Sequence, residues 1–292
     1  MSHPPDARRK PAWLKVRFPG GPNWGRIHRY HLDQGLHSVC RSAACPNQGE
    51  CWDKGIATFM ILGDRCTRDC RFCNVRHDTP RPVDFKEGEK VAQAVTELKL
   101  RHAVITSVTR DDLPDGGASA FIALVEALRR QAPGCRVELL IPDLAGNLDA
   151  LKTLLSCDID ILGHNLETVP RLYPVVRSGA DYQRSLELLA QTRHLKPTLL
   201  TKTGLMLGLG ETEEEVRTVM RDLRRVDCNM LTLGQYLAPT RHHHRVAAYI
   251  EPEHFAALKD EALTLGFDQV ESGPLVRSSY HAEEQFDNRD GG

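Results

Sequence analysis

Cys66, Cys70 and Cys73 place three thiols in the eight residues "CTRDCRFC", at the spacing C-x3-C-x2-C. A tight loop at this spacing can turn three sulfurs inward. A structural zinc site normally closes with four protein ligands. No fourth Cys or His stands at a natural closing position, and His77 lies beyond one. A cubane of four irons and four sulfides suits three thiolates better, because its fourth iron stays open to a small molecule. A second triplet, Cys40, Cys45 and Cys51, comes earlier at C-x4-C-x5-C and also lacks a nearby fourth ligand. Six of the nine cysteines therefore lie between Cys40 and Cys73, and that clustering argues for metal. Cys135, Cys157 and Cys228 are scattered singly and read as small buried hydrophobes.

The rest of the chain must hold these sets in place. From residue 56 onward, apolar runs alternate with amphipathic ones. "TFMILG" (58–63), "HAVITSV" (102–108), "RVELLIPD", "IDILGHNL", "TLLTKTGLMLGL" and "MLTLGQYL" read as six buried strands. Between them, "EGEKVAQAVTELKL", "ASAFIALVEALRRQ", "NLDALKTLL", "YQRSLELLAQTRHL" and "TEEEVRTVMRDLRRV" have helical periodicity. Asn147 caps the third of these, and the acids opening the fifth suit the helix dipole. Continuously apolar strands alternating with helices mean a parallel sheet covered by helices, α/β in class. Six units fit an open doubly wound sheet or a partial (β/α)6 TIM-like barrel. No G-x-G-x-x-G follows the first strand, which disfavours a dinucleotide site. In either layout, ligands sit at the carboxyl ends of the strands, where Cys66, Cys70 and Cys73 fall after the first strand.

Three segments follow: an N-terminal extension over 1–55, the barrel over 56–250, and a C-terminal helix and extended piece over 251–292. Residues 1–31 hold seven Lys or Arg against one acid, with frequent Pro and Gly. They read as an arm, either a solvated tail or a basic strap for an acidic partner. With 292 residues, a formal net charge of −1 and 26% charged residues, the chain is an ordinary globular protein with no global field for nucleic acid or membrane. No apolar run is long enough to span a bilayer, and the start has no apolar signal core. A cytoplasmic protein is expected. "RHHHR" (241–245) invites a metal reading, but adjacent side chains do not converge in regular structure. It reads as a basic loop facing an acidic partner.

The spacing C-x3-C-x2-C after the first strand, with Phe72 between the second and third cysteines, resembles the radical S-adenosylmethionine enzymes. The triplet Cys40, Cys45 and Cys51 followed by "ATFMILGDRCTRDCRFCNV" closely resembles the lipoyl synthase family. The likeness runs on through "RKPAWLK", "TSVTRDDLPDGG", "HNLETVPRLYPVVR", "KTGLMLGLGET", "DCNMLTLGQYL" and "SGPLVRSSY". Biotin synthase-like enzymes share the cysteine motif at 66–73 but not Cys40, Cys45 and Cys51 paired with "RSSY". A zinc-stabilised binding module remains the reading from another class.

The resemblance implies two 4Fe-4S clusters and S-adenosyl-L-methionine. The first cluster sits on Cys66, Cys70 and Cys73. The auxiliary one sits on Cys40, Cys45 and Cys51, with Ser279 as fourth ligand in preference to Ser278. It further implies a 5′-deoxyadenosyl radical that takes hydrogen from C6 and C8 of an octanoyl chain on a carrier lysine. Two sulfurs from the auxiliary cluster then fill those positions. The carrier is a lipoyl domain of a 2-oxoacid dehydrogenase E2 subunit or the glycine-cleavage H protein. A flavodoxin or ferredoxin as electron donor, a cluster-repair protein and a monomeric state are also implied. Phe72 in the cysteine loop, Thr106 and Ser107 at the second strand end, Asn165 and Glu167 on one side of the fourth strand, and Lys202 are the expected cofactor contacts, with Lys202 at the carboxylate. Arg110, Asp111, Asp112 and Arg277 are further polar residues near strand ends, with a substrate or tail-locking role for Arg277.

Overall fold

A computed structural model describes residues 10–15, 22–33, 35–42, 45, 47–53 and 58–279. Its main sheet contains β1 (His37–Ser38), β2 (Thr58–Ile61), β5 (His102–Ser107), β6 (Arg136–Leu140), β7 (Ile161–Gly163), β8 (Leu200–Leu207), β9 (Met230–Gln235) and β10 (Gln269–Gly273). Two short strands, β3 (Arg65–Cys66) and β4 (Arg76–His77), pair separately. The order is β1-β2-β5-β6-β7-β8-β9-β10, parallel throughout except for the antiparallel β1. Its end strands are β1 and β10, so the sheet is an open partial barrel.

Helices α4 (Glu87–Leu98), α5 (Ala118–Gln131), α6 (Leu148–Leu155), α8 (Tyr182–Leu195) and α9 (Glu213–Arg225) follow their strands as the periodicity requires. The caps are where the sequence puts them. Asn147 Oδ1 accepts from the amides of Asp149 and Ala150. Thr212 and Glu215 form a reciprocal capping box at the start of α9. Between sheet and helices lie two main cores. One contains Phe59, Ile105, Phe121, Leu124 and Leu139, and the other Leu205, Val219, Met220, Leu233 and Phe255. The short α7 (Tyr173–Val176) lies in the segment after β7, and α10 (Pro252–Thr264) leads into β10.

The N-terminal segment differs from the arm expected over 1–31. Pro22–Asp33 is a helix, α1, that packs on α3 (Gln48–Asp53). Trp24 stacks on His28 at 4.9 Å between ring centroids, both face Trp52, and Ile27 is buried. Proline suits a first helical turn, and Trp24, Ile27 and His28 share one face by the i, i+3, i+4 rule. Residues 1–9 and 16–21 lie outside the described set. The remaining short helix, α2 (Val39–Ser42), carries Cys40 directly after β1.

One face of the sheet meets the helices and the other lines the barrel. Val137 and Leu139 pack into the core, so Glu138 between them points to the interior. There its carboxylate meets Lys202 Nζ at 3.0 Å and His102 Nε2 at 3.3 Å, with all three side chains buried. Burial opposes ionisation of Glu138. Lys202, then His102, overcome it and hold the carboxyl below its ordinary value. Lys202 therefore does not occupy the strand-end position expected of it. It stands near the start of β8, beside Gly163 and Met230. Its ammonium is committed to Glu138. Breaking a buried pair leaves a charge without its partner. Lys202→Met should lower the unfolding free energy of the iron-free chain by about 3–5 kcal/mol in denaturant titrations. An unchanged midpoint would show that Glu138 does not depend on this ammonium.

Candidate active site

Cys66 lies just past the carboxyl end of β2, where Ile61 pairs with Ser107 of β5. The loop from Cys66 to Cys73 is held at nearly every residue. Thr67 donates both its amide, at 3.0 Å, and its hydroxyl, at 3.1 Å, to the Thr109 carbonyl. Arg68 forms a two-pronged pair with Asp111 at 2.8 Å and reaches Asp143 at 2.7 Å. Ser178 donates to the Asp69 carbonyl, and the Arg71 amide donates to the Val176 carbonyl. Phe72 packs against the second core.

The last tie comes from "RHHHR". His243 Nε2 donates to the Cys73 carbonyl at 3.1 Å, and the His244 amide donates to the Arg71 carbonyl at 2.8 Å. Tyr236 donates its hydroxyl to the His244 carbonyl. Only the two arginines and His242 of this segment are exposed. The segment is thus a strap across the cysteine loop that turns His243 and His244 inward and keeps its two arginines outward. The inward turn of His243 and His244 carries no local sequence signal, because it depends on contact with residues about 170 positions away.

Burial sets the thiol chemistry. It pushes Cys70 up to about 12, with Arg177 opposing and Cys73 and Cys66 adding to the rise. Cys73 is pushed up to about 11, first by burial, with Cys66 also raising it. The three sulfurs thus feel one another, and as free thiols Cys70 and Cys73 stay protonated at neutral pH. A cationic cluster would be needed to hold them as thiolates.

Beyond β7, Asn165 Nδ2 donates to Glu167 Oε1 at 3.1 Å and to Ser278 Oγ at 2.7 Å. Asn165 and Glu167 share a side as expected, but not through strand alternation. β7 ends at Gly163, and Glu167 takes a left-handed backbone, φ +67°, that is uncommon outside glycine. It is anchored there by its amide on Gly204 and its carbonyl on Met206. Burial raises the Glu167 carboxyl, and Arg177 leads the groups that oppose it. Arg177 is itself buried, bonded to Tyr173 and Ser185. Its charge therefore faces both Cys70 and Glu167, a role the sequence reading missed. An arginine closing an apolar run, "YPVVR", was the available signal. Thr106 donates its hydroxyl to the Leu140 carbonyl, whereas Ser107 Oγ is buried without a hydrogen-bond partner among the described residues. Arg110 is buried and paired with Asp112, and Asp111 is the partner of Arg68.

A second centre lies where the two ends of the sheet approach each other. A small cavity there is lined by Cys40, Cys45, Asn47, Cys51, Thr58, Arg277 and Ser279. Cys40 is pushed up to about 11, by burial first and then by Cys45. Burial also raises Cys45, against the pull of Arg277. Asn47 donates to the Leu275 carbonyl and joins the chain's two ends across this cavity.

Residues 60–223 match the Radical SAM superfamily. The chain is 54% identical to a lipoyl synthase of Rubrobacter xylanophilus over 96% of its length and 87% of the relative's. It is 55% identical to a lipoyl synthase of Desulfotalea psychrophila, covering 95% of this chain and 93% of that one. The chain belongs to the lipoyl synthase family. As a member it is an enzyme of the radical S-adenosylmethionine class, for which one 4Fe-4S cluster and S-adenosylmethionine are the family's cofactors. Solved structures agree in fold. Streptococcus suis SuiB bound to S-adenosylmethionine aligns at TM-score 0.57 with 11% identity, over 80% of this chain and 57% of that one. Methylornithine synthase aligns at 0.52 with 13% identity, over 73% and 70%. Among the described residues, no helix is long and apolar enough to cross a membrane.

Two outcomes test this site. Arg68→Ala should cut the iron retained by the loop at 66–73 after anaerobic desalting by half or more, because Asp111 and Asp143 lose their common partner. Full retention would show that the loop holds itself. His164 is buried, donates Nδ1–H to the Ile141 carbonyl, and is depressed to about 4 by burial first and then by Arg177. The unfolded chain, titrating near 6.5, then binds the extra proton between those values, so stability falls as pH drops from about 6.5 to about 4. Thermal unfolding of His164→Gln should be less steep in that window than the parent's, and equal slopes would remove His164 as the cause.

Proposed function

We propose that this enzyme inserts two sulfur atoms, at C6 and C8, into an octanoyl chain carried as an amide on a lysine of a lipoyl carrier domain. The sulfur comes from an auxiliary 4Fe-4S cluster held by Cys40, Cys45, Cys51 and Ser279. The observation that carries this reading is the cavity that joins three thiols of the N-terminal extension to a hydroxyl from the far end of the chain. Its donor set fits a cubane: three sulfurs and one oxygen, with Arg277 beside them to balance negative charge. An oxygen ligand is a poorer partner for iron than thiolate, so Ser279 is the natural corner to release when the cluster gives up sulfur.

Cys66, Cys70 and Cys73 hold the other cluster, and S-adenosylmethionine bound there supplies the radical that removes hydrogen from carbon. The protein's own work is placement and exclusion. Arg68, Ser178 and His243 fix the loop that carries the three thiols. Asn165 and Glu167 present one amide and one carboxylate at the mouth to the ribose or amino group. Ser107 adds a buried hydroxyl with no hydrogen-bond partner among the described residues. Arg177, whose charge already faces Cys70 and Glu167, takes over the carboxylate role first assigned to Lys202. Holding the reacting carbon close and keeping water out account for the protein's part in the rate. Partners in this reading are an E2 lipoyl domain or glycine-cleavage H protein, a flavodoxin or ferredoxin, and a cluster-repair protein. The enzyme acts as a cytoplasmic monomer.

Cys70→Ala should abolish formation of 5′-deoxyadenosine. Cys45→Ala should keep that cleavage but yield no lipoyl product. Lipoyl product from Cys45→Ala at the parent's level would remove the auxiliary cluster from the reaction.

A further inference from the structure

The C-terminal segment after β10 runs across the barrel mouth, and the strands beneath have made room for it. At Gly234 of β9, an added Cβ would overlap the Val276 carbonyl oxygen. At Gly204 of β8, it would lie 2.7 Å from Thr232 Oγ1, 3.0 Å from Asn165 Oδ1 and 3.3 Å from Ser278 Oγ. Contacts below 3.0 Å are not tolerated without movement. Neither glycine has a positive φ, so backbone conformation does not demand it. Close approach of the tail does at Gly234, and at Gly204 Thr232 and Asn165 crowd the position first, with Ser278 next. The Val276 amide bonds the Gly273 carbonyl, and Asn47 holds the Leu275 carbonyl. Ser278 then accepts from Asn165 at 2.7 Å, and Ser279 enters the cavity of Cys40, Cys45 and Cys51.

We infer that Ser278 is a latch. Its hydroxyl, held by Asn165 over Gly204, seats the tail so that the adjacent Ser279 reaches the second cysteine set. Ser278 is thus a positioning residue, and the two serines of "RSSY" divide the work: one grips the barrel and the other faces the cavity. The latch rests on the proposal that Cys40, Cys45, Cys51 and Ser279 hold a cluster. It adds a physical link from the S-adenosylmethionine side of the mouth, at Asn165, to the ligand that must let go. A ligand that displaces the Asn165 amide loosens the tail, and a seated tail fixes the amide.

The test has one readout without iron and one with it. In the iron-free full chain, hydrogen–deuterium exchange over residues 273–279 should speed up about fivefold in Ser278→Ala, the loss of roughly one hydrogen bond. Ser278→Thr, which keeps the hydroxyl, should restore it. For the second readout, Ser278→Ala is placed in two reconstituted full-length backgrounds. Cys66→Ala/Cys70→Ala/Cys73→Ala retains only the second cluster, and Cys40→Ala/Cys45→Ala/Cys51→Ala retains only the first. Release of iron to a chelator should quicken about fivefold in the former and stay unchanged in the latter. Parent-like exchange in Ser278→Ala, or equal acceleration in both backgrounds, would overturn the latch. If the first background takes up no iron at all, the two-cluster reading falls. The exchange result still shows whether Ser278 grips the barrel.

Discussion

An open parallel sheet leaves two edges, and exposed edges must be covered or paired. Here β1 and β10 are those edges, and the segments beside them meet instead of pairing. Asn47 reaches the Leu275 carbonyl, and the cavity between them takes Cys40 and Thr58 from one side and Arg277 and Ser279 from the other. Everything distinctive about the site follows from that seam. A closed barrel would have no gap for a second cysteine set. A flatter sheet would not bring a residue near position 279 to one near position 45.

Two different kinds of constraint hold the two centres. The loop carrying Cys66, Cys70 and Cys73 is bound locally and redundantly, by Thr109, Asp111, Asp143, Val176, Ser178 and His243. Among the described residues, the seam is tied by Asn47 on the Leu275 carbonyl and by Asn165 on Ser278, with Gly234 giving the tail clearance. The buried Glu138, with Lys202 and His102, ties β5, β6 and β8 together below both centres.

Much of this was legible in the sequence because it is local. The bounds of α5, the Asn147 cap and the acids opening α9 follow from periodicity and from backbone donors that need partners. The cysteine spacings and the order of the family motifs pointed to the enzyme class. Long-range pairing was not legible. β1 is two residues long and has no pattern of its own. β10 extends the parallel sheet although "QVESG" is mostly polar. Lys202 looked like a strand-end charge because the run "TLLTKTGLMLGL" does not say where its strand begins. Nothing near Glu167 in sequence announces its left-handed backbone, which is stabilised by Gly204 and Met206. α1 was hidden by the Pro and Gly around it, although the side chains that pack it were present.

The claim on which the rest hangs is that the seam houses a cubane of its own. Mössbauer and chemical analysis of the anaerobically reconstituted, ⁵⁷Fe-labelled full chain test it most directly. The account predicts about eight irons and eight sulfides per chain, all in 4Fe-4S form. A fully loaded sample that stopped at about four of each would contradict it.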